Sequence, residues 1–379
     1  MQTVVINAVQ SDSYASAWDE AARALRAGQL VIFPTETVYG VAANAAHPQA
    51  IQRLRALKGR ADAQPFTIHL GRREDARLYL TAPSPLVRRL VRKAWPGPLT
   101  LICQEATPQA TEISAQFPPE LLADLYHAGT IGLRCPDHAA AARLLTAAGV
   151  PVVASSANRQ GRPPPTDAQS ALRELDGEVE YAVDDGPTRH SVASTIVEVR
   201  GDDWRIVRAG ALDERTLGRL AQSVILFVCT GNLCRSPMAE YLFRTGLGRR
   251  LNLTPDELTK AGYGVMSAGV GAGPGACASP GAHEELRRRG IDASSHSSQP
   301  LTVELVHQAE RVYVMSAEHR RAVLELLPAA AGRVALLDPQ GAVADPFGGS
   351  QADYARAAEQ IEHAVDLRLE EFLDEDRRW

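Results

Sequence analysis

Lysine is almost missing from this chain. Of 40 basic residues only Lys58, Lys93 and Lys260 are lysines. An arginine- and alanine-rich composition fits a GC-rich coding bias. It still lends each retained lysine some chemical interest, because an ammonium is a compact point charge and a guanidinium a flat fork. Aromatic residues are sparse, at 5%. Cysteine is limited to Cys103, Cys135, Cys229, Cys234 and Cys277, an odd number with no C-x-x-C. That argues against a zinc ribbon and a secreted disulfide framework. No apolar run approaches the roughly 18 residues of a membrane span. Met1 to Gln10 lacks the charged-then-apolar layout of a secretion signal. The expectation is a cytoplasmic protein with reduced thiols and no membrane partner. There is also no G-x-x-x-x-G-K-[ST], no G-x-G-x-x-G and no H-E-x-x-H, so the common ATPase, dinucleotide and zinc-protease readings lack support.

What is present describes an ordinary globular chain. Its 379 residues are 45% hydrophobic and 22% charged, with a net charge of −5. The length predicts two or three domains. The acidic balance provides no global field for nucleic acid. Trp18, Ala21, Ala22 and Leu25 follow helical spacing, and Gly28 then stops the helix. Ile51, Leu54 and Leu57 predict a second helix. Short β-branched runs predict strands at 30–33, 66–70, 99–103, 130–133, 151–154, 195–199 and 204–207. The pattern restarts with the continuous apolar run Val224–Val228, typical of a buried parallel strand. Strands at 265–267, 311–315 and 334–337 then alternate with helices at 236–249, 280–289, 317–327 and 351–372, which implies βαβ units. The fold class is α/β, with domains at residues 1–213 and 223–379 joined by a polar segment.

Between Val228 and the helix that follows stands Cys229-Thr230-Gly231-Asn232-Leu233-Cys234-Arg235-Ser236-Pro237. A C-x5-R match alone is weak. Placed between a buried strand and a helix N-terminus, it brings backbone N–H groups and a positive dipole end around one point, an oxyanion cradle. This environment favours a thiolate at Cys229. Arg235 can hold two phosphate oxygens bidentately. Attack on phosphorus also needs an acid for the leaving oxygen, and Asp345, on the Gly/Pro loop before the last helix, is the candidate. Cys234 reads either as a core residue or as a reversible disulfide partner of Cys229.

Residues 224–373 resemble the low-molecular-weight protein tyrosine phosphatases. The resemblance implies Cys229 as nucleophile, Arg235 as phosphate clamp and Asp345 as general acid. Asn232 and Ser236 would support the loop. It also implies a phosphocysteine intermediate, a phosphorylated protein as substrate and no cofactor. The loop 270–278 has no aromatic residue to stack on a phenol, a trait similar to bacterial members, including those acting on phosphoarginine. Leu233, where that type tends to carry Thr, favours aryl phosphate instead.

In the N-terminal half the pieces are individually less informative. Pro34-Thr35-Glu36-Thr37-Val38-Tyr39-Gly40 packs hydroxyls and a carboxylate into one turn after a strand. Lys58-Gly59-Arg60 places two cations after a helix, and Ser155-Ser156-Ala157-Asn158 follows another strand. By chemistry alone they imply nucleotide binding. In order, with Pro65-Phe66-Thr67-Ile68-His69, Trp95-Pro96-Gly97-Pro98, Gly132-Leu133-Arg134-Cys135-Pro136 and Ser194-Thr195-Ile196, they resemble the YrdC-type threonylcarbamoyl-adenylate synthases. That resemblance implies a twisted α/β sheet. It also implies formation of threonylcarbamoyl-AMP from L-threonine, bicarbonate and ATP for tRNA N6-threonylcarbamoyladenosine, with tRNA-modification proteins as partners. Lys58, Arg60, Thr130, Ser156, Asn158 and Arg208 fall to ATP, with Mg²⁺ accompanying it and no protein metal ligands assigned. Thr35, His69, Arg134 and Ser194 fall to threonine. Ala61 stands where the family usually has proline. The alternative reading of this half is an RNA-binding module.

Overall fold

The computed structural model describes residues 2–8, 14–59, 65–117 and 119–377. The chain divides into two compact units, residues 1–220 and 221–378.

The first unit is built on a ten-stranded mixed sheet. Its strands are β1 (Val4–Asn7), β2 (Val31–Phe33), β3 (Gly40–Asn44), β4 (Thr67–His69), β5 (Leu99–Gln104), β6 (Thr130–Arg134), β7 (Val152–Ser156), β8 (Tyr181–Asp184), β9 (Thr195–Arg200) and β10 (Asp203–Arg208). They lie in the order β1-β8-β2-β3-β7-β4-β6-β5-β9-β10. The predicted first helix spans Tyr14–Arg26, and Trp18, Ala21, Ala22 and Leu25 are almost fully buried. They pack with Ala140, Ala141, Leu144 and Ala148 of the helix Ala139–Ala148 in one core cluster. Gly28 ends the first helix at φ +81°, where a Cβ would meet the His47 ring. The helix Pro48–Lys58 is capped by His47 at its start and by Gly59, in the left-handed region, at its end. That cap fixes Lys58 in the last helical turn.

The strand pairing aligns side chains from distant parts of the sequence. His69 of β4 is the register partner of Arg134 of β6, Arg134 of Thr100 of β5, Thr100 of Ile196 of β9, and Ile196 of Arg208 of β10. Register partners point to the same face, so five strands supply one transverse row.

In the second unit, β11 (Ser223–Cys229), β12 (Tyr263–Gly269), β13 (Arg311–Val314) and β14 (Val334–Leu336) form an all-parallel sheet in the order β12-β11-β13-β14. Every residue of β11 is buried. Ile225, Phe227 and Cys229 join one core cluster, with Phe243 of the helix Arg235–Leu251 and Phe372 of the helix Gln351–Arg377. Val224, Leu226 and Val228 join the other, with Val306 and Val323. The period of two assigns alternate residues to opposite faces, each covered by helices. Among the described residues no helix is long and apolar enough to cross a membrane.

Candidate active sites

In the second unit the segment after β11 curls into a cradle. The carbonyls of Cys229, Thr230 and Leu233 accept from the N–H groups of Val270, Gly271 and Ser279, at 2.8–3.0 Å. The carbonyl of Asn232 lies 2.8 Å from His296 Nε2. In a planar trans peptide the next N–H points opposite to each carbonyl. The N–H groups therefore face away from these outer partners, toward the inside of the loop. Asn232 makes the curl at φ +54°, a conformation asparagine tolerates. Its Nδ2 donates to Ser236 Oγ at 2.9 Å and Ser267 Oγ at 2.8 Å, and its Oδ1 accepts from Gln299 N at 2.9 Å. Because Ser236 accepts from Asn232, its own proton has two acceptors, the Cys229 sulfur at 3.0 Å and Ala268 O at 3.4 Å.

Cys229, Thr230, Gly231, Leu233, Cys234, Arg235, Asp345 and Phe347 line one cavity of about 180 Å³. Cys229, Arg235 and Asp345, expected from sequence as nucleophile, clamp and acid, thus line the same cavity, although Asp345 lies 110 residues from Arg235. Arg235 Nη2 donates to Asp345 Oδ2, and Nη1 donates to Val343 O at 3.1 Å. The buried Nε has no hydrogen-bond partner, which leaves its N–H for an incoming oxyanion. Cys234 Sγ lies 3.1 Å from Ser279 Oγ and 3.5 Å from Tyr354 OH, and burial pushes its thiol up. All five cysteines are free. Phe347, two-thirds exposed, stands over the rim.

The first unit holds a cavity of about 320 Å³. Thr35, Lys58, His69, Arg134, Ser156, Asn158, Ser194 and Arg208 all line it, as does Thr100 from the transverse row. Lys58 Nζ donates to Ser156 O at 2.9 Å, to Asn158 Oδ1 at 3.2 Å and to Asn158 O. Arg134 Nη2 reaches Thr37 Oγ1 at 2.6 Å and Glu36 Oε1 at 3.0 Å, and its Nε is buried without a partner. Burial, reinforced by the Arg134 charge, pushes His69 down to about 3. The ring is therefore neutral at pH 7, with Nδ1 placed 3.2 Å from Thr67 O. Ser194 Oγ lies 2.9 Å from Thr100 Oγ1 and accepts from Arg208 at 3.1 Å. Thr130 stands at the opposite end of β6 from Arg134, and its hydroxyl donates to His127 O within a turn. Arg60 lies outside the described residues.

Sequence reasoning assigned no role to Glu36, Thr37, Thr67, Thr100 or Gln160. Thr67 could have been found, since it is two residues from His69 on one strand and shares its face. Glu36 and Thr37 lay within the motif used for the resemblance.

Comparison with known proteins places both halves. Residues 23–210 match the Sua5/YciO/YrdC family, described as telomere recombination. Residues 224–378 match the low molecular weight phosphotyrosine protein phosphatases. The threonylcarbamoyl-AMP synthase of Bacillus subtilis is 36% identical over 202 residues, 52% of this chain and 54% of that protein. The chain thus spans about half the length of that relative. A B. subtilis protein-arginine-phosphatase is 38% identical over 159 residues, 41% of this chain and 99% of that protein. The crystal structure of P. abyssi Sua5 complexed with L-threonine aligns over 96% of this chain and 98% of its own, with a TM-score of 0.51 and 21% identity, a likeness of fold. The chain belongs to two families at once: Sua5/YciO/YrdC in its first half and the low-molecular-weight phosphatases in its second.

Proposed function

We propose that the protein is a bifunctional enzyme. Its residues 1–213 form threonylcarbamoyl-AMP and pyrophosphate from L-threonine, bicarbonate and ATP, for tRNA N6-threonylcarbamoyladenosine synthesis. Its residues 223–379 hydrolyse phosphomonoesters of the phosphotyrosine type.

The observation that carries the first activity is the convergence of Thr35, Lys58, His69, Arg134, Ser156, Asn158, Ser194 and Arg208 on one cavity. Arg134, with its unpartnered Nε, takes the threonine carboxylate. Neutral His69, Thr35 and Ser194 meet the threonine ammonium and hydroxyl. Lys58 and Arg208, with Arg60, neutralise the departing pyrophosphate, while Ser156 and Asn158 bind the nucleotide. Among the described residues the cavity lining contains no carboxylate, so Mg²⁺ would arrive on the ATP phosphates, where it supplies further charge neutralisation. The work is positioning and electrostatics, with no covalent enzyme intermediate. P. abyssi Sua5 forms a complex with L-threonine, which supports the same amino acid here. Threonine-dependent pyrophosphate release from ATP and bicarbonate is expected. No release, with tight RNA binding that weakens steeply with salt, would overturn this reading.

The second activity is carried by the meeting of Cys229, Arg235 and Asp345 at one cavity. The Cys229 thiolate attacks phosphorus, and the P–O bond to the alcohol breaks as Asp345 delivers its proton to the leaving oxygen. Water, deprotonated by the same carboxylate, then cleaves the phosphocysteine to inorganic phosphate and free Cys229. Leu233 and Phe347 make the rim apolar, which suits a phenyl ring. The arginine phosphatase relative favours phosphoarginine as a second reading. Hydrolysis of p-nitrophenyl phosphate is expected, and Cys229→Ser removes it. Asp345→Ala slows turnover of poor leaving groups by ~10²-fold or more. Comparing phosphotyrosine with phosphoarginine turnover decides the substrate.

A further inference from the structure

His319 stands behind the phosphatase cradle and has no part in the chemistry described so far. It occupies the first turn of the helix Ala317–Leu326, whose N-cap is Ser316, and is 5% exposed. It is absent from the cavity lining. Its Nε2 lies 2.9 Å from Thr230 Oγ1, and its Nδ1 lies 3.0 Å from Ser316 Oγ. Thr230 follows the nucleophile directly, and its Oγ1 also lies 3.3 Å from Arg235 Nη2.

Donor and acceptor counting orders this chain. A guanidinium only donates. Thr230 Oγ1 therefore accepts from Arg235 with one of its two lone pairs, which leaves its single proton for its other neighbour, His319 Nε2. In that arrangement the nitrogen is bare, and the imidazole proton sits on Nδ1, toward Ser316 Oγ. Burial, and then the Arg235 charge, lower the imidazole's proton affinity, while Asp345 and Glu318 act in the opposite direction. The net direction is downward, in keeping with the neutral ring this arrangement uses.

We propose that His319 is a positioning residue for the phosphate clamp: its bare Nε2 draws the Thr230 hydroxyl proton away from Arg235, so that the Thr230 oxygen presents lone pairs to the guanidinium and holds it facing the cavity. The inference rests on the phosphatase reading of this site. His319 touches no substrate. Its effect falls on oxyanion binding rather than on the proton transfer performed by Asp345.

The test measures inorganic phosphate binding calorimetrically and p-nitrophenyl phosphate kinetics on the full chain, in wild type, His319→Ala, His319→Gln and Thr230→Val. His319→Ala is expected to weaken phosphate binding and raise KM by about 3- to 10-fold, the net size of one hydrogen bond, with kcat changed less than twofold. His319→Gln, whose amide can still accept from Thr230, recovers most of the loss. In the Thr230→Val background the His319→Ala change adds nothing further, because the link is already cut. Unchanged phosphate affinity in His319→Ala, or full additivity with Thr230→Val, overturns the proposal. Should the alanine variant fail to fold, His319→Gln with the Thr230→Val pair still decides it. Wild-type protein without turnover would sink the phosphatase reading, whereas phosphate affinity reports on His319 separately.

Discussion

At the scale of single residues, Lys58 shows why a rare lysine need not be interchangeable with arginine. It is 6% exposed, and its ammonium is shared by three oxygens of the Ser156–Asn158 turn. Three acceptors around one nitrogen suit a point charge with three protons and not a planar fork. Lys58→Arg is expected to lower kcat/KM for threonine-dependent pyrophosphate release by roughly 10- to 100-fold, the size of lost hydrogen bonds to a charged group. Unchanged kinetics would show that positive charge alone is enough. Lys58, Thr35, His69 and Arg134, which line one cavity, could be named from the sequence because their types match the charges and hydroxyls the proposed reaction must bind. Glu36 was not, because its role depends on Arg134, 98 residues away. Thr130, expected on the nucleotide side, donates its hydroxyl to His127 O in a local turn and keeps its lone pairs for other partners. Nothing in a single sequence distinguishes a threonine that binds its own turn from one that faces a ligand.

At the scale of elements, β11 was readable since alternate apolar residues from Val224 to Val228 enter two cores, with no polar residue among them. β3 was not predicted. Gly40, Ala42 and Ala43 have low strand propensity, and the strand exists because it is paired on both sides by β2 and β7. The transverse row from His69 to Arg208 was invisible for a related reason: periodicity reveals which face a residue takes, and register between strands is a tertiary property. Two glycines show how closely the elements approach at the sites. A Cβ on Gly269, at the end of β12, would lie 2.5 Å from Thr230 O and 2.8 Å from Asn232 N. One on Gly210 would lie 2.5 Å from the Ser194 carbonyl carbon. Each contact involves backbone, so the loop must shift. Gly269→Ala is expected to lower p-nitrophenyl phosphate turnover by roughly 10²-fold, and Gly210→Ala to lower pyrophosphate release similarly, as ångström-scale misplacement does. Assays of both activities in each variant check that every loss stays in its own unit.

At the scale of the whole molecule, each unit has its own apolar core and its own cavity. The length allowed two or three domains, and the strand–helix alternation restarts at Val224, close to residue 221, where the second compact unit begins. Cys229→Ser is accordingly expected to leave threonine-dependent pyrophosphate release within twofold of wild type, while abolishing phosphatase turnover in the same preparation. A parallel fall in both would show that the activities are coupled. The scarcity of lysine has one more consequence. Lys260 is exposed and Lys93 half-buried, while Lys58 sits in the cavity wall with its ammonium held by the Ser156–Asn158 oxygens. An acylating reagent would mark Lys260 at once and Lys58 far more slowly, and ATP in the cavity would slow Lys58 further. The ratio of the two acylated peptides would then report occupancy of the cavity in the unaltered protein, with no engineered label.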